Sequence, residues 1–281
     1  MKSKKALITL IVVLGLLATS LIFLMILVMN NSNNFIFGFD LGSKNMKLVD
    51  SYDALNSDIN NINFNLYSTD VEIKESENHT LRVEYYSNKD KNDKIKVENN
   101  NIIINEESNK TICFGICHNQ RRIIVYIPSN YILSFNIVTK SGDIKSTINL
   151  NDSKINIKTT SGDINLENTN NISLTTTSGD IKLNTANIAN LKTTSGDIRI
   201  NNINDYININ TTSGDIDITN LKITANSNIN TTSGDIIINN NISNCYIDFK
   251  TRSGSNYIKK SDRKSDVVLN VKTTSGDISV N

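Results

Sequence analysis

The chain has no tryptophan, one proline, two histidines and three cysteines in 281 residues, and aromatic residues make up 6% of it. Scarce aromatic rings leave few of the platforms on which sugar-binding clefts stack their ligands. With only His79 and His118 as imidazoles and no second cysteine pair beside Cys113 and Cys117, a four-ligand zinc set is hard to assemble. An excess of charge of either sign is also missing. The 29 basic and 28 acidic residues leave a net charge of +1, so no global field draws the chain to nucleic acid. There is no phosphate-cradling glycine loop and no Ser-His-Asp spacing, and hence no sequence sign of a bound cofactor or of nucleophilic catalysis.

One long hydrophobic run is present. Ala6 to Val28 is uncharged and largely apolar and follows Lys2, Lys4 and Lys5. At 1.5 Å per residue it reaches about 34 Å, enough to cross a bilayer core with some tilt. The positive flank predicts residues 1–5 in the cytoplasm, a single transmembrane helix over 6–28, and everything later outside the cell membrane. The competing reading is a cleaved signal peptide, which usually has a shorter apolar region and a small-residue cleavage site. No cysteine lies in or just after the run, which speaks against a lipidated, processed N-terminus. Residues 29–57 read as a linker. Its aromatic patch, Phe35 to Phe39, suits either the headgroup layer or a contact with the domain that follows.

From residue 139 onward a single phrase, Thr-Thr-Ser-Gly-Asp-Ile, recurs. Its glycines are Gly142, Gly162, Gly179, Gly196, Gly214, Gly234, Gly254 and Gly276, about 20 residues apart. A period of that length with a fixed turn and apolar flanks marks a stacked solenoid, because one unit cannot bury its own apolar face. Parity supports this. Ile172, Leu174 and Thr176 before Gly179, and Ile181 and Leu183 after it, alternate with polar residues, as strands with one face inward do. The fold class is therefore all-β, a β-solenoid of about eight or more coils over residues 136–281, some 40 Å long at the usual strand spacing. The segment Ser68-Thr69-Asp70-Val71-Glu72-Ile73 looks like a worn copy with Thr69 in the glycine position. Residues 58–135 are thus β-rich too, as irregular first coils or as a separate leading segment. Pro128 ends one of their apolar runs, where its missing amide does least damage.

At the corner, the glycines are expected to supply positive φ. The inward threonines Thr139, Thr159, Thr176, Thr193, Thr211, Thr231, Thr251 and Thr273 are expected to satisfy unpaired backbone groups. Seven aspartates follow the glycines: Asp143, Asp163, Asp180, Asp197, Asp215, Asp235 and Asp277. Stacked about 5 Å apart, each like-charge pair costs roughly 0.8 kcal/mol in water. Hydrogen bonds to turn amides offset that on one reading. On another, calcium sits between the rungs, although each turn carries one glycine and one carboxylate rather than the denser calcium-repeat pattern. The seventh coil breaks the ladder with Arg252 and Ser255, and Arg252 is expected to lie between Asp235 and Asp277. Closely spaced carboxylates also suit glycoside hydrolysis, but seven equivalent ones describe a structural motif rather than a single site. One outward threonine per coil is too sparse for an ice-binding face. Cys113 and Cys117 read as a small-loop disulfide or as two thiols, with Cys245 left over.

The Ser-Gly-Asp turn at Ser141 to Asp143 and its later copies, behind a membrane span and a β-rich segment, resemble a bacterial adhesin-like envelope family of unknown function, over about residues 58–281. That resemblance implies a right-handed β-solenoid with no known catalytic residues, and membrane-anchored relatives in envelope-stress systems. The sequence-based expectation is a non-catalytic scaffold, binding surface or sensing accessory with an envelope or cell-wall partner. The chain closes on Asn281 with no capping helix, and the C-terminal coil is expected either to pair with a partner or with a second copy of the chain, a self-association, or to be shielded by twist and charge.

Overall fold

The computed structural model describes residues 15, 17, 19, 20, 34–37, 45–54, 59–88, 95–106, 111–114, 120–129, 131–259 and 261–281. They fall into two units, Met1–Asn45 with Ser108–Asn119, and Met46–Glu107 with Gln120–Asn281. In the first unit Asn34–Phe37 pairs in parallel with Thr111–Phe114, Asn34 opposite Thr111. Gly15, Leu17, Thr19 and Ser20 are helical. Among the described residues no helix is long and apolar enough to cross a membrane. The rest of the predicted span, Ala6 to Val28, lies outside the described residues, and so does Cys117 of the predicted Cys113–Cys117 pair.

Among the described residues the second unit is an open, solenoid-like sheet of 20 strands. Its middle coils run almost without interruption from one Ser-Gly-Asp corner to the next, as Ile164–Thr175, Ile181–Lys192 and Ile198–Asn210. The strands stack in parallel, so that Ile164, Ile181, Ile198, Ile216, Ile236 and Ile278 form one continuous inward column. Every member is at most 1% exposed. Each such isoleucine contributes about 2 kcal/mol of burial that no coil provides alone. The alternation read from the sequence is the burial pattern observed, with Ile172, Leu174 and Leu183 inward and the Asn, Lys and Ser residues between them turned to solvent.

Spatial order departs from chain order at both ends. Asn61–Asn65 lies between Asn101–Asn105 and Ser134–Val138, and Asp70–Glu75 lies between Arg121–Ile127 and Ile144–Ser146. Residues 59–75 therefore form the second coil in space, and the later segment supplies the outermost one. At the far end Val268–Lys272 inserts between Ser227–Asn230 and Tyr246–Lys250, and Ile278–Val280 between Ile236–Asn241 and Asn256–Ile258. Two expectations are corrected by this exchange. Arg252 belongs to the outermost coil and does not lie between Asp235 and Asp277, and the coil that ends at Asn281 is an internal rung rather than the bare end.

The two ends are finished differently. Leu81–Ser87 pairs antiparallel with Arg121–Ile127, and Lys47–Ala54 pairs antiparallel with Leu81–Ser87. Residues 47–54, read above as linker, are therefore a strand of the second unit. Lys96–Glu98 covers Asn101–Asn105 through a two-residue turn in which Asn99 and Asn100 have φ of 50° and 63°. Paired positive φ is the backbone of a type I′ hairpin, which asparagine tolerates. At the other end no described strand pairs beyond Tyr246–Lys250 or Asn256–Ile258.

Candidate functional site

The repeated corner is a regular constellation of polar groups among the described residues. Its glycines pack backbone to backbone: a Cβ on Gly162 would stand under 3.0 Å from the carbonyl oxygen of Gly142, and the same relation recurs through Gly179, Gly196, Gly214, Gly234, Gly276 and Gly254. Close approach therefore selects glycine, and the expectation of positive φ is corrected. Only Gly254 and Gly276 have positive values, at 158° and 157°, near the extended limit. The first glycine, Gly142, packs on the carbonyl of Thr69, which identifies Ser68 to Ile73 as a true corner.

Thr139, Thr159, Thr176 and Thr193 are buried, and each hydroxyl accepts the N–H of the glycine three residues on, at 3.0 to 3.2 Å. Beyond them the pattern inverts. Thr231 and Thr273 donate to the carbonyls of Gly214 and Gly234, and Thr251 to that of Gly276. Thr211 sits at the changeover, and its buried hydroxyl has no partner among the described residues.

The aspartates form a directional ladder. Asp143 N–H donates to Asp70 Oδ1, and each following Asp amide donates to the previous carboxylate through Asp163, Asp180, Asp197, Asp215, Asp235 and Asp277. The bonds measure 2.8 to 3.1 Å. Ser255 N–H closes the series on Asp277 at 2.7 Å. Ser255 itself occupies the rung with no described successor, where a carboxylate would meet no amide. The break at the seventh coil is thus the end of the ladder. One oxygen of every calcium candidate is engaged in this way, and among the described residues no three His, Cys, Asp or Glu side chains converge as metal ligands. Arg199 spans two rungs, at 2.8 Å from Asp197 and 3.4 Å from Asp180. Rows of outward asparagines add amide bonds between coils, among them Asn202–Asn220–Asn240 at 2.9 and 3.0 Å and Asn170–Asn187–Asn204 at 3.1 and 3.2 Å.

Two features escaped the sequence reading. The first is a buried carboxylate at the capped end. Glu106 takes the N–H of Tyr67 at 2.7 Å, the Tyr85 hydroxyl at 3.0 Å, the Arg121 guanidinium at 3.2 Å and the Thr69 hydroxyl. Burial by itself would raise this carboxyl, but the bonds from Thr69 and Tyr67, the Arg121 charge and the Tyr85 hydroxyl outweigh it and hold the group below the ordinary carboxylate range. Glu106 also gives Thr69 a role: among the described residues its hydroxyl reaches the buried carboxylate. The contacts span 15 to 39 residues of sequence, so no local pattern marks them. The second is a cleft of about 520 Å³ beside the irregular corner Thr147–Ser153, where Glu75, Ser129, Tyr131, Asn149, Asn151 and Asp152 come together. Ser129 Oγ donates to Glu75 Oε1 at 2.6 Å. Cys245 is buried, with Asn241 Nδ2 at 3.8 Å from its sulfur.

The chain is similar to several solved structures at low identity. A candidate adhesin from Bacteroides fragilis is 17% identical, with 85% of this chain and 98% of that one covered and a TM-score of 0.47. A candidate lipid-binding protein from Parabacteroides distasonis is 15% identical, with 88% and 100% covered and a TM-score of 0.40. A candidate adhesin from Parabacteroides merdae is 14% identical, again with 88% and 100% covered, and has a TM-score of 0.34. No curated protein matches the sequence. The family model described as Toastrack DUF4097 matches residues 59–281, which takes in the corner ladder, the buried Glu106 and the cleft, and the chain belongs to that family.

Proposed function

We propose that this chain is a membrane-anchored, extracytoplasmic β-solenoid of right-handed winding that serves as a scaffold or adhesin-like binding surface, or as an accessory in envelope sensing, and that it is not an enzyme. One observation carries the reading: the carboxylates multiplied by the repeat are bound to the amides of the next coil, so the repeat builds a stiff, evenly polar surface rather than one reactive centre. The apolar run behind Lys2, Lys4 and Lys5 supports the anchor and its direction. Its partner is an envelope protein or a cell-wall polymer, and the polar cleft beside Tyr131 and Asn149 is where a small projecting group of that partner fits.

The test uses cells that make the full chain. The protein should stay with membranes through high-salt washing and be cut by protease added to intact cells, and the purified chain in detergent should sediment with isolated envelopes without degrading them. Recovery in the soluble fraction would sink the anchor. Turnover of envelope glycan that vanishes on changing one carboxylate would sink the non-catalytic reading. A large rise in the unfolding midpoint with millimolar calcium over chelator would restore the ion site between rungs.

A further inference from the structure

The open end carries the further inference. In a parallel ladder the N–H and C=O of alternate residues point to the same side. Tyr246 N–H bonds to Val267 O at 2.8 Å, and Lys250 O accepts from Thr273 N–H at 2.9 Å. Residues 246, 248 and 250 thus face the coil inside, and 247, 249 and 251 face away. The chain beyond covers the start of this outer edge, where Ile247 N–H donates to Ser261 Oγ at 3.0 Å and Asp262 N–H to Cys245 O at 2.9 Å. What stays uncovered is the stretch around Phe249.

That stretch is apolar where the coils inside it are buried. Phe249 continues the inward column of Ile209, Ile229 and Val271, yet it is 39% exposed because no described coil closes over it. Tyr246 of the same strand and Tyr257 of the next strand in the outer coil are exposed too. Long unpaired edges of this kind are normally covered. At the other end of this unit antiparallel strands do the covering.

The covering partner is identified by self-complementarity. A strand meeting its own copy in antiparallel register is centred on one residue, and a centre at 248 or 250 would set Asp248 or Lys250 against its own like charge, which leaves 247 with its neighbour 246, 249 and 251. Ser261 occupies the edge at 247, and the strand ends at Lys250. Centred on Phe249, the two phenylalanines stack across the axis and Asp248 stands opposite Lys250 of the second copy on either side of it, while the edge at Ile247 keeps its bond to Ser261. We propose that two copies of this chain associate tail to tail through Asp248–Lys250, running antiparallel about Phe249. With the opposite end capped, the contact is isologous and closes at a dimer instead of growing into a filament.

The experiment measures the mass of the full chain in neutral detergent by sedimentation equilibrium from about 1 to 100 µM, a range in which a modest interface shows. The wild type should be a concentration-dependent dimer. Asp248→Lys and Lys250→Asp each place like charges across both symmetric pairs, and each should weaken the dimer about tenfold. The double exchange D248K/K250D restores both pairs and should recover wild-type affinity, while unfolding midpoints show that all the variants remain folded. A wild type that is monomeric throughout, or a dimer indifferent to the exchange, overturns the proposal.

Discussion

At the corner the side chains do three separable jobs. Glycine lets carbonyls of successive coils approach, threonine satisfies the glycine amide or carbonyl, and aspartate ties each rung to the next. Gly179→Ala forces a Cβ against the Gly162 carbonyl in the middle of the stack, where neither neighbour can move away. We expect a loss of about 3 kcal/mol in urea unfolding, the upper range for overpacking, and a cost below 1 kcal/mol would mean that the coils slide apart freely. The threonines allow a sharper contrast. Thr176→Val strands the Gly179 N–H and should cost about 1 to 2 kcal/mol, whereas Thr211→Val removes a hydroxyl with no described partner and should be neutral or stabilising. Equal losses in both would refute the assignment of the changeover at Thr211.

Among the structural elements, the decisive ones are those that end the stack. The strands Asn101–Asn105 and Arg121–Ile127 enclose Glu106 and Arg121, whose side chains are 0% and 3% exposed. Removing one member of such a pair leaves the other charge buried, so Glu106→Gln should cost about 3 kcal/mol at pH 7. The pH dependence has a definite sign. The folded carboxyl titrates below its unfolded value of about 4.3, so its stabilisation is complete above that pH and fades as pH falls through the depressed folded value. E106Q should lack that part of the acid slope. Asp70 works in the opposite direction: burial raises it, the bond from the Asp143 amide opposes the rise, and the Asp143 charge adds to it. Ionised Asp70 is disfavoured in the fold, and Asp70→Asn, which keeps an acceptor for Asp143 N–H, should be more stable than wild type near neutrality. Unfolding curves between pH 3 and 7 separate the two; a steeper acid loss in E106Q would contradict the sign.

At the level of the whole solenoid unit, stability is a sum over neighbouring coils, with one end covered and the other open. Below the concentration at which copies associate, amide exchange should be fastest in residues 246–258 and slowest in the long strands from 164 to 210, since opening an outer coil breaks one interface and opening an inner one breaks two. Uniform protection would argue that the unit unfolds as one block. The middle of this architecture was legible in advance. Period, parity and the recurring corner residues are local, and a coil resting on a near copy of itself repeats the same contacts, which is why the inward Ile and Thr columns and the Asp ladder follow from the residues alone. Local pattern alone therefore establishes the all-β class, the parallel repeat and its core. The ends depended on the tertiary structure. A strand that joins an outer edge can come from either side in chain order, so no periodicity reveals that 268–280 inserts inside 246–258, that Ser255 terminates the ladder, or that Glu106 meets Thr69, Tyr85 and Arg121. Likewise, the glycines were visible as a turn signal, but the carbonyl pressing on each belongs to another coil, and only packing distinguishes a close approach from a special φ.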